Sequence, residues 1–437
     1  MRAMKDSGIA WIDKIPLGWT IKRLKWIVKF EKGLPITKDD LIKQGVPVVS
    51  YGQIHSKANN GTHLRDDLIR YVSEEYLESN PLSLGKKGDI FFADTSEDYA
   101  GIGNAVLIDV DSPVFAGYHT VIVRPDDQVY SRYLAYLFLT DAWRSQLCSR
   151  ASGIKVFSIT QGLLKKTTVI LPPAEKAIEM TAFLDRKCSQ IDAIIARQQE
   201  VIEKLKAYKL SVITEAVTKG LTPHAPMKDS GVEWIGEIPE QWETASISRV
   251  ATVVRGASPR PAGDPRYFNG QDVPWITVAE VTKDDGKYIF STESYLTKEG
   301  AECSRLVEKG TLLLSNSGAT LGVPKVTLIT GCINDGSVAF LDLNIEQMYL
   351  LYVFKSRTLE LRKQMQGYGQ PNLNTTIVKN IVVPLPHPDE QKSISEYLDK
   401  RCKAIDDTIE MKEKVVERLS KYKKSLIYEV VTGKKEV

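Results

Sequence analysis

The sequence has no run of about 18 apolar residues able to cross a bilayer. Charges run from Arg2 and Lys5 onward with no apolar signal core. A soluble, cytoplasmic protein is the expectation. Cysteine is scarce and scattered: Cys148, Cys188, Cys303, Cys332 and Cys402 are an odd set without C-x-x-C, which speaks for reduced thiols over a disulfide scaffold or zinc site. The five histidines (His55, His63, His119, His224, His387) stand apart, and no H-E-x-x-H occurs. There is no Walker loop and no G-x-S-x-G elbow. Gly101-Ile-Gly103 lacks the third glycine of a dinucleotide fingerprint. Asn80-Pro81-Leu82-Ser83 fails the tetrad of an aminomethyltransferase at its third residue. No catalytic residue and no metal ligand is therefore assigned, and a non-catalytic role is expected. Charge is nearly balanced, 58 Lys and Arg against 55 Asp and Glu. Any basic surface must arise by local segregation.

What the sequence does contain is a repeat, and 437 residues leave room for two or three domains. Met4-Lys-Asp-Ser-Gly-Ile-Ala-Trp-Ile-Asp-Lys-Ile-Pro-Leu-Gly-Trp19 returns as Met227-Lys-Asp-Ser-Gly-Val-Glu-Trp-Ile-Gly-Glu-Ile-Pro-Glu-Gln-Trp242. Tyr133-Leu-Ala-Tyr-Leu-Phe138 returns as Tyr349-Leu-Leu-Tyr-Val-Phe354, and Leu184-Asp-Arg-Lys-Cys188 as Leu398-Asp-Lys-Arg-Cys402. Each half reads as a Trp/Pro lead-in, a globular α/β stretch, a Pro-rich hinge and a long helix. β-Branched and aromatic runs at 46–51, 89–93, 120–123, 273–278, 311–315 and 338–341 predict strands. One helix is predicted after Ser131 and one after Asn344. The expected division is 1–173 with lead-in 4–19, 174–220, 221–386 with lead-in 227–242, and 387–437.

Between about Ala174 and Thr218 there is no Gly or Pro, and apolar residues recur at steps of four and three. The seam runs through Leu184, Cys188, Ile191, Ile195, Ile202 and Leu205, and its copy through Leu398, Cys402, Ile405, Ile409, Val416 and Leu419. Gln198, Lys209, Lys412 and Lys423 place polar groups at matching steps, where they set register. A helix of about 45 residues is ~65 Å long and needs a partner for its apolar stripe. The partner is either the other helix of the same chain, paired antiparallel, or a second chain.

These landmarks resemble the specificity subunits of type I restriction-modification systems over almost the full length. The lead-ins, Gly369-Gln-Pro-Asn-Leu-Asn374, the Pro-Leu-Pro…Glu390-Gln391 junction and the endings Val217-Thr218-Lys-Gly220 and Val431-Thr432-Gly433-Lys434 carry the likeness. The resemblance implies a mixed α+β fold: two globular target recognition domains related by a pseudo-two-fold repeat, joined by two long antiparallel helices in an intrachain coiled coil. It implies sequence-specific binding of a bipartite site in double-stranded DNA, DNA methylation and host defence. Partners would be two methyltransferase subunits, with restriction subunits where present. S-Adenosylmethionine and ATP with magnesium would sit on those partners, and this chain would hold no cofactor. The alternatives are a coiled-coil scaffold or an orphan DNA-binding protein.

Gln and Asn can read adenine edges, Arg guanine, and Lys and Ser phosphate. On that basis Gln53, Lys57, Thr95, Ser96, Lys155 and Ser158 are the candidate DNA contacts of the first half. Arg255, Arg260, Lys283, Ser317, Thr320, Gln370 and Asn372 are those of the second. Each is also a residue that an ordinary solvated loop carries.

Overall fold

The computed structural model describes residues 3–151, 156–318, 320–364 and 373–437. The chain forms two compact units, Met1–Gln198 with Lys414–Val437, and Gln199–Glu413. Each unit thus takes one half of each long helix, Ala174–Lys219 and Pro388–Val431.

In the first unit a four-stranded antiparallel sheet has the order Ala105–Leu107, Ile90–Ala93, Thr120–Pro125, Val28–Lys32. Ile90–Ala93 is buried throughout because its two faces meet different cores. Ile90 and Phe92 join Val121 and Val123 beneath Leu134, Phe138 and Trp143. Phe91 and Ala93 turn the other way, toward Val49, Val114 and Ala116 of a second sheet. That second sheet pairs Val46–Val49 parallel with Val114–Ala116.

The second unit repeats the plan. Leu312 and Leu314 of Leu312–Ser315 share a core with Val338, Phe340, Leu350 and Phe354, while Leu313 and Ala339 meet Ile276 and Ile333. Phe268–Ile276 and Gly331–Ile333 form the parallel pair.

The single helix expected after Ser131 is two, Ser131–Phe138 and Asp141–Cys148. Thr140 explains the break: its hydroxyl accepts from the Trp143 amide, capping the second helix, a local bond that competes with continuing the first. After Asn344 one helix runs Gln347–Gln364, as expected.

The repeated landmarks are joints. Each lead-in is a hairpin, Met4–Ile9 with Ile12–Pro16 and Met227–Asp229 with Glu237–Pro239. It delivers a fully buried tryptophan, Trp19 or Trp242. Both long helices end in a left-handed glycine, Gly220 (φ 74°) and Gly433 (φ 68°), although the two glycines lie one residue apart in the aligned endings. The Tyr133 hydroxyl lies 2.9 Å from Ile170 O and 2.8 Å from Val431 O. Tyr349 does the same with Val217 O (3.1 Å) and Pro384 O (3.2 Å). Each tyrosine ties a helix end to the strand that precedes the other helix. Tyr133→Phe or Tyr349→Phe is expected to cost about 1–3 kcal/mol by leaving buried carbonyls unpaired. Thermal melting of each variant measures that loss.

Within each unit the long helices run antiparallel. In the first, Lys423 donates to both oxygens of Asp192 (2.7 and 2.6 Å), while Leu184, Cys188 and Ile191 share a core with Leu426 and Val430. In the second, Lys209 donates to both oxygens of Asp406 (2.7 Å each), with Val212 and Ala216 against Leu398 and Cys402. The partner of each stripe is therefore the same chain. Ile191, Ile202, Ile405 and Ile409 are buried, and Ile195, Leu205, Val416 and Leu419 half-buried. The globular bodies grip the same helix faces, with Tyr136 donating to Asp185 (2.7 Å) and Tyr352 to Asp399 (2.6 Å). Burial pushes the neighbouring Cys188 thiol up to about 11, so it stays protonated.

Lys355 is the one strongly perturbed base among the described residues. Burial, with Lys209 nearby, pulls it down from 10.5 to about 8. Its proton is held more tightly in the unfolded chain, so stability rises as pH climbs from about 8 toward 10.5. Lys355→Met is expected to raise the melting temperature at pH 7 and to abolish that rise, both read from thermal melts across the window.

Candidate nucleic-acid interface

Polar residues gather where the central strands of each unit end. In the first unit Asp94 follows Ile90–Ala93 and His119 precedes Thr120–Pro125; the Asp94 amide donates to His119 O at 3.0 Å. The His119 Nδ1 lies 3.2 Å from Asp94 Oδ1. His119 holds φ 54°, a left-handed backbone that non-glycine residues rarely adopt, and such strain concentrates at functional sites. The Tyr51 ring stands edge-on to His119 (5.4 Å), Tyr118 (5.5 Å) and His55 (6.1 Å).

Asn104 Nδ2 can only donate, so His55 Nδ1, 3.1 Å away, accepts. The proton then lies on Nε2, which donates to Thr95 O at 2.7 Å. This pair of bonds fixes the ring of His55. Thr95–Ser96 pairs with Phe157–Ser158, and Ile159 N donates to Asp94 O at 2.7 Å.

Thr95, Ser96 and Ser158 are thus brought together, but not equally presented. Ser158 is exposed, while Ser96 is buried and donates to Asp98 O. Gln53 accepts from the Ser50 amide (3.1 Å) and so caps its own short helix. Lys57 is exposed in the loop beyond it. Lys155 lies outside the described residues, as do Gln370 and Asn372 of the second unit.

The second unit reproduces the backbone with other side chains. Asn316 N donates to Gly336 O (2.9 Å) and Leu373 N to Asn316 O (2.7 Å). Asn316 therefore stands where Asp94 does, and Gly336 where His119 does. The Asn316 side chain is fully buried, and among the described residues neither amide atom has a hydrogen-bond partner. Asp335 gathers its neighbours: its Oδ1 accepts from Ser258 (2.6 Å), its Oδ2 from Arg260 (3.3 Å), and its backbone oxygen from Arg255 (3.1 Å). Ser317 lies half-buried beside Gly336. Lys283 lies 3.6 Å from Glu293, and Thr320 is exposed, its carbonyl accepting from Ser315. Among the described residues no hydrogen bond ties Lys283 or Thr320 to the arginine group.

The family model for the type I restriction modification DNA specificity domain matches twice, at residues 16–204 and 239–418. The chain belongs to that family. Each matched stretch carries one of the two strand-end clusters. The putative type I restriction enzyme MjaX specificity subunit of Methanocaldococcus jannaschii is 27% identical over 97% of this chain and 95% of its own. The EcoKI specificity subunit of Escherichia coli is 20% identical over 91% of this chain and 84% of its own. A chain solved in work on complex assembly and conformational transition of the type I R-M system shares the fold, with TM-score 0.71, 18% identity, and coverage of 96% of this chain and 99% of that one.

Within these specificity domains the sequence reading passed over Tyr51, His55, Asp94 and His119 in the first copy and Asn316 and Asp335 in the second. The signal that could have found Asp94, His119 and Asn316 is positional, since each borders a run already predicted as a strand; His55 and Asp335 lie three or four residues beyond one. Among the described residues no group of three or more His, Cys, Asp or Glu is placed to hold a metal, and no helix is long and apolar enough to cross a membrane.

Proposed function

We propose that this chain is the DNA-reading subunit of a type I restriction-modification complex. Each specificity domain reads one half of a bipartite duplex site. The observation that carries this reading is the doubled family match, with one backbone frame presenting Asp94 and His119 in one copy and the Asp335-held arginines in the other. Two such readers on one chain can accept two different half-site sequences, which a symmetric dimer cannot.

The chain itself performs no chemistry. Two methyltransferase subunits bound to the long helices supply S-adenosylmethionine chemistry, and restriction subunits, where present, use ATP and magnesium. The complex works in the cytoplasm, where it meets the DNA.

Mapping methylated adenines across the genome of cells carrying this chain with its cognate methyltransferase tests the reading. The expected result is one bipartite motif, with both half-sites and the spacer visible together. Methylation without a shared motif, or none, would sink it. Binding of the complex to that motif is also expected to fall steeply with salt, because phosphate contacts release counterions. A flat salt response in a binding titration would exclude phosphate contacts.

A further inference from the structure

The near balance of charge hides a segregated flank on the first unit. Residues 20–33 carry Lys22, Arg23, Lys25, Lys29 and Lys32 on exposed positions, and Glu31 is the only acid among them. Glu31, opposite Ile122, and Lys29, opposite Arg124, share one face of their strand, while Phe30 and Lys32 share the other, where the track lies. The short helix Leu24–Trp26 packs against Gln161–Lys165, with Leu24 N donating to Thr167 O at 2.9 Å, which brings exposed Lys165 and Lys166 alongside. Among the described residues none of these seven cations forms an ion pair with a carboxylate.

Aromatic rings lie between the cations. Trp26 is 65% exposed, a costly display for the largest apolar side chain, and has the Arg23 guanidinium at 5.9 Å and the Lys25 ammonium at 5.7 Å from its ring centre. Lys165 stands 5.5 Å from the Phe30 ring. Lys32 precedes Gly33, whose amide donates to Thr120 O (3.0 Å), the residue after His119. The track therefore runs from the strand-end cluster along the flank of the same unit.

We infer that this track grips the phosphate backbone of the duplex read by the first domain and supplies affinity independent of sequence. The inference rests on the DNA reading above. An acidic protein face would be the other polyanionic partner, and two observations disfavour it. First, the track is continuous with the strand-end cluster. Second, the matching stretch of the other unit, residues 243–255, carries only Arg249 and Arg255, the latter held by Asp335. A protein docking alike on both repeats would find no equivalent there.

The test uses the assembled complex with its methyltransferase subunits, comparing the parent with the triple variant Lys25→Gln, Lys32→Gln, Lys165→Gln. All three lysines are exposed, so folding is expected to be intact, and a melting curve checks it. Binding is titrated against salt on a duplex bearing the mapped motif and on a scrambled duplex. The log-log salt slope is expected to drop by about 3, with equal loss on both duplexes and an unchanged methylation motif. An unchanged slope overturns the inference. So does loss of the methyltransferase subunits from the complex while the assembled fraction binds DNA as before, since that outcome assigns the track to a protein face. Failure of the parent complex to bind either duplex would instead remove the DNA reading itself.

Discussion

Replacing Trp19 with alanine is expected to cost about 3–5 kcal/mol, the range for emptying a buried tryptophan site. For a unit of this size that corresponds to a fall of roughly 6–20 °C in the melting temperature. The size of the effect follows from what the ring touches. Trp19 is fully buried, edge-on to Tyr133 at 6.4 Å, in one core with Val430 and Val431 at the end of the second long helix. The space beside it is closed by Gly433, where an added Cβ would lie 3.0 Å from the indole and 2.4 Å from Pro16. Nothing nearby can collapse into the vacancy without moving a helix end. Trp242→Ala is expected to match it in the second unit and also to strip Glu390 of the indole N–H donated at 2.9 Å. Trp26→Ala, at an exposed site, is the control and should melt within about 0.5 kcal/mol of the parent. If Trp19→Ala melted like Trp26→Ala, the lead-in would be an appendage and its recurrence would need another explanation.

The joints were legible for the same reason that they are expensive to mutate. Trp19 and Trp242, Tyr133 and Tyr349, and Leu184 and Leu398 recur in order because each is buried in an equivalent core, where volume and hydrogen bonding restrict the choice. The helix seams were legible because a two-helix contact enforces a fixed period. The Thr140 break was not, because Ser131–Cys148 keeps its apolar spacing across a single capping hydroxyl.

The strand-end clusters were harder still. His55 contacts Thr95, and His119 contacts Asp94, through sheet register and not through sequence proximity. A histidine that stands alone in the sequence therefore revealed nothing about its neighbours. Residue type also misled about presentation: Gln53 was chosen as an adenine reader, but its side-chain oxygen is used to cap a helix. In the second unit Arg255, at the end of Thr252–Arg255, and Arg260, in the loop beyond it, share Asp335.

That shared carboxylate motivates the prediction with the largest functional effect. Arg260→Ala is expected to lower methylation at the mapped site by about 5–150-fold, the worth of one bidentate contact to a guanine edge. The first half-site should remain unchanged. The arginine is suited to the task because Asp335 takes only one of its N–H groups, at 3.3 Å, and leaves a largely exposed fork oriented but available. Arg260→Lys separates base reading from phosphate holding. It keeps the charge, so overall affinity and salt slope should stay near the parent, while preference at one position of the second half-site relaxes. Asp335→Ala should weaken recognition less than Arg260→Ala, since it removes the orienting carboxylate and not the reading group. Methylation sequencing over a library with both half-sites randomised reads all three variants at once. An unchanged motif in Arg260→Ala would exclude it as a base reader. A change confined to the first half-site would mean that the second domain does not read its half of the site through this arginine.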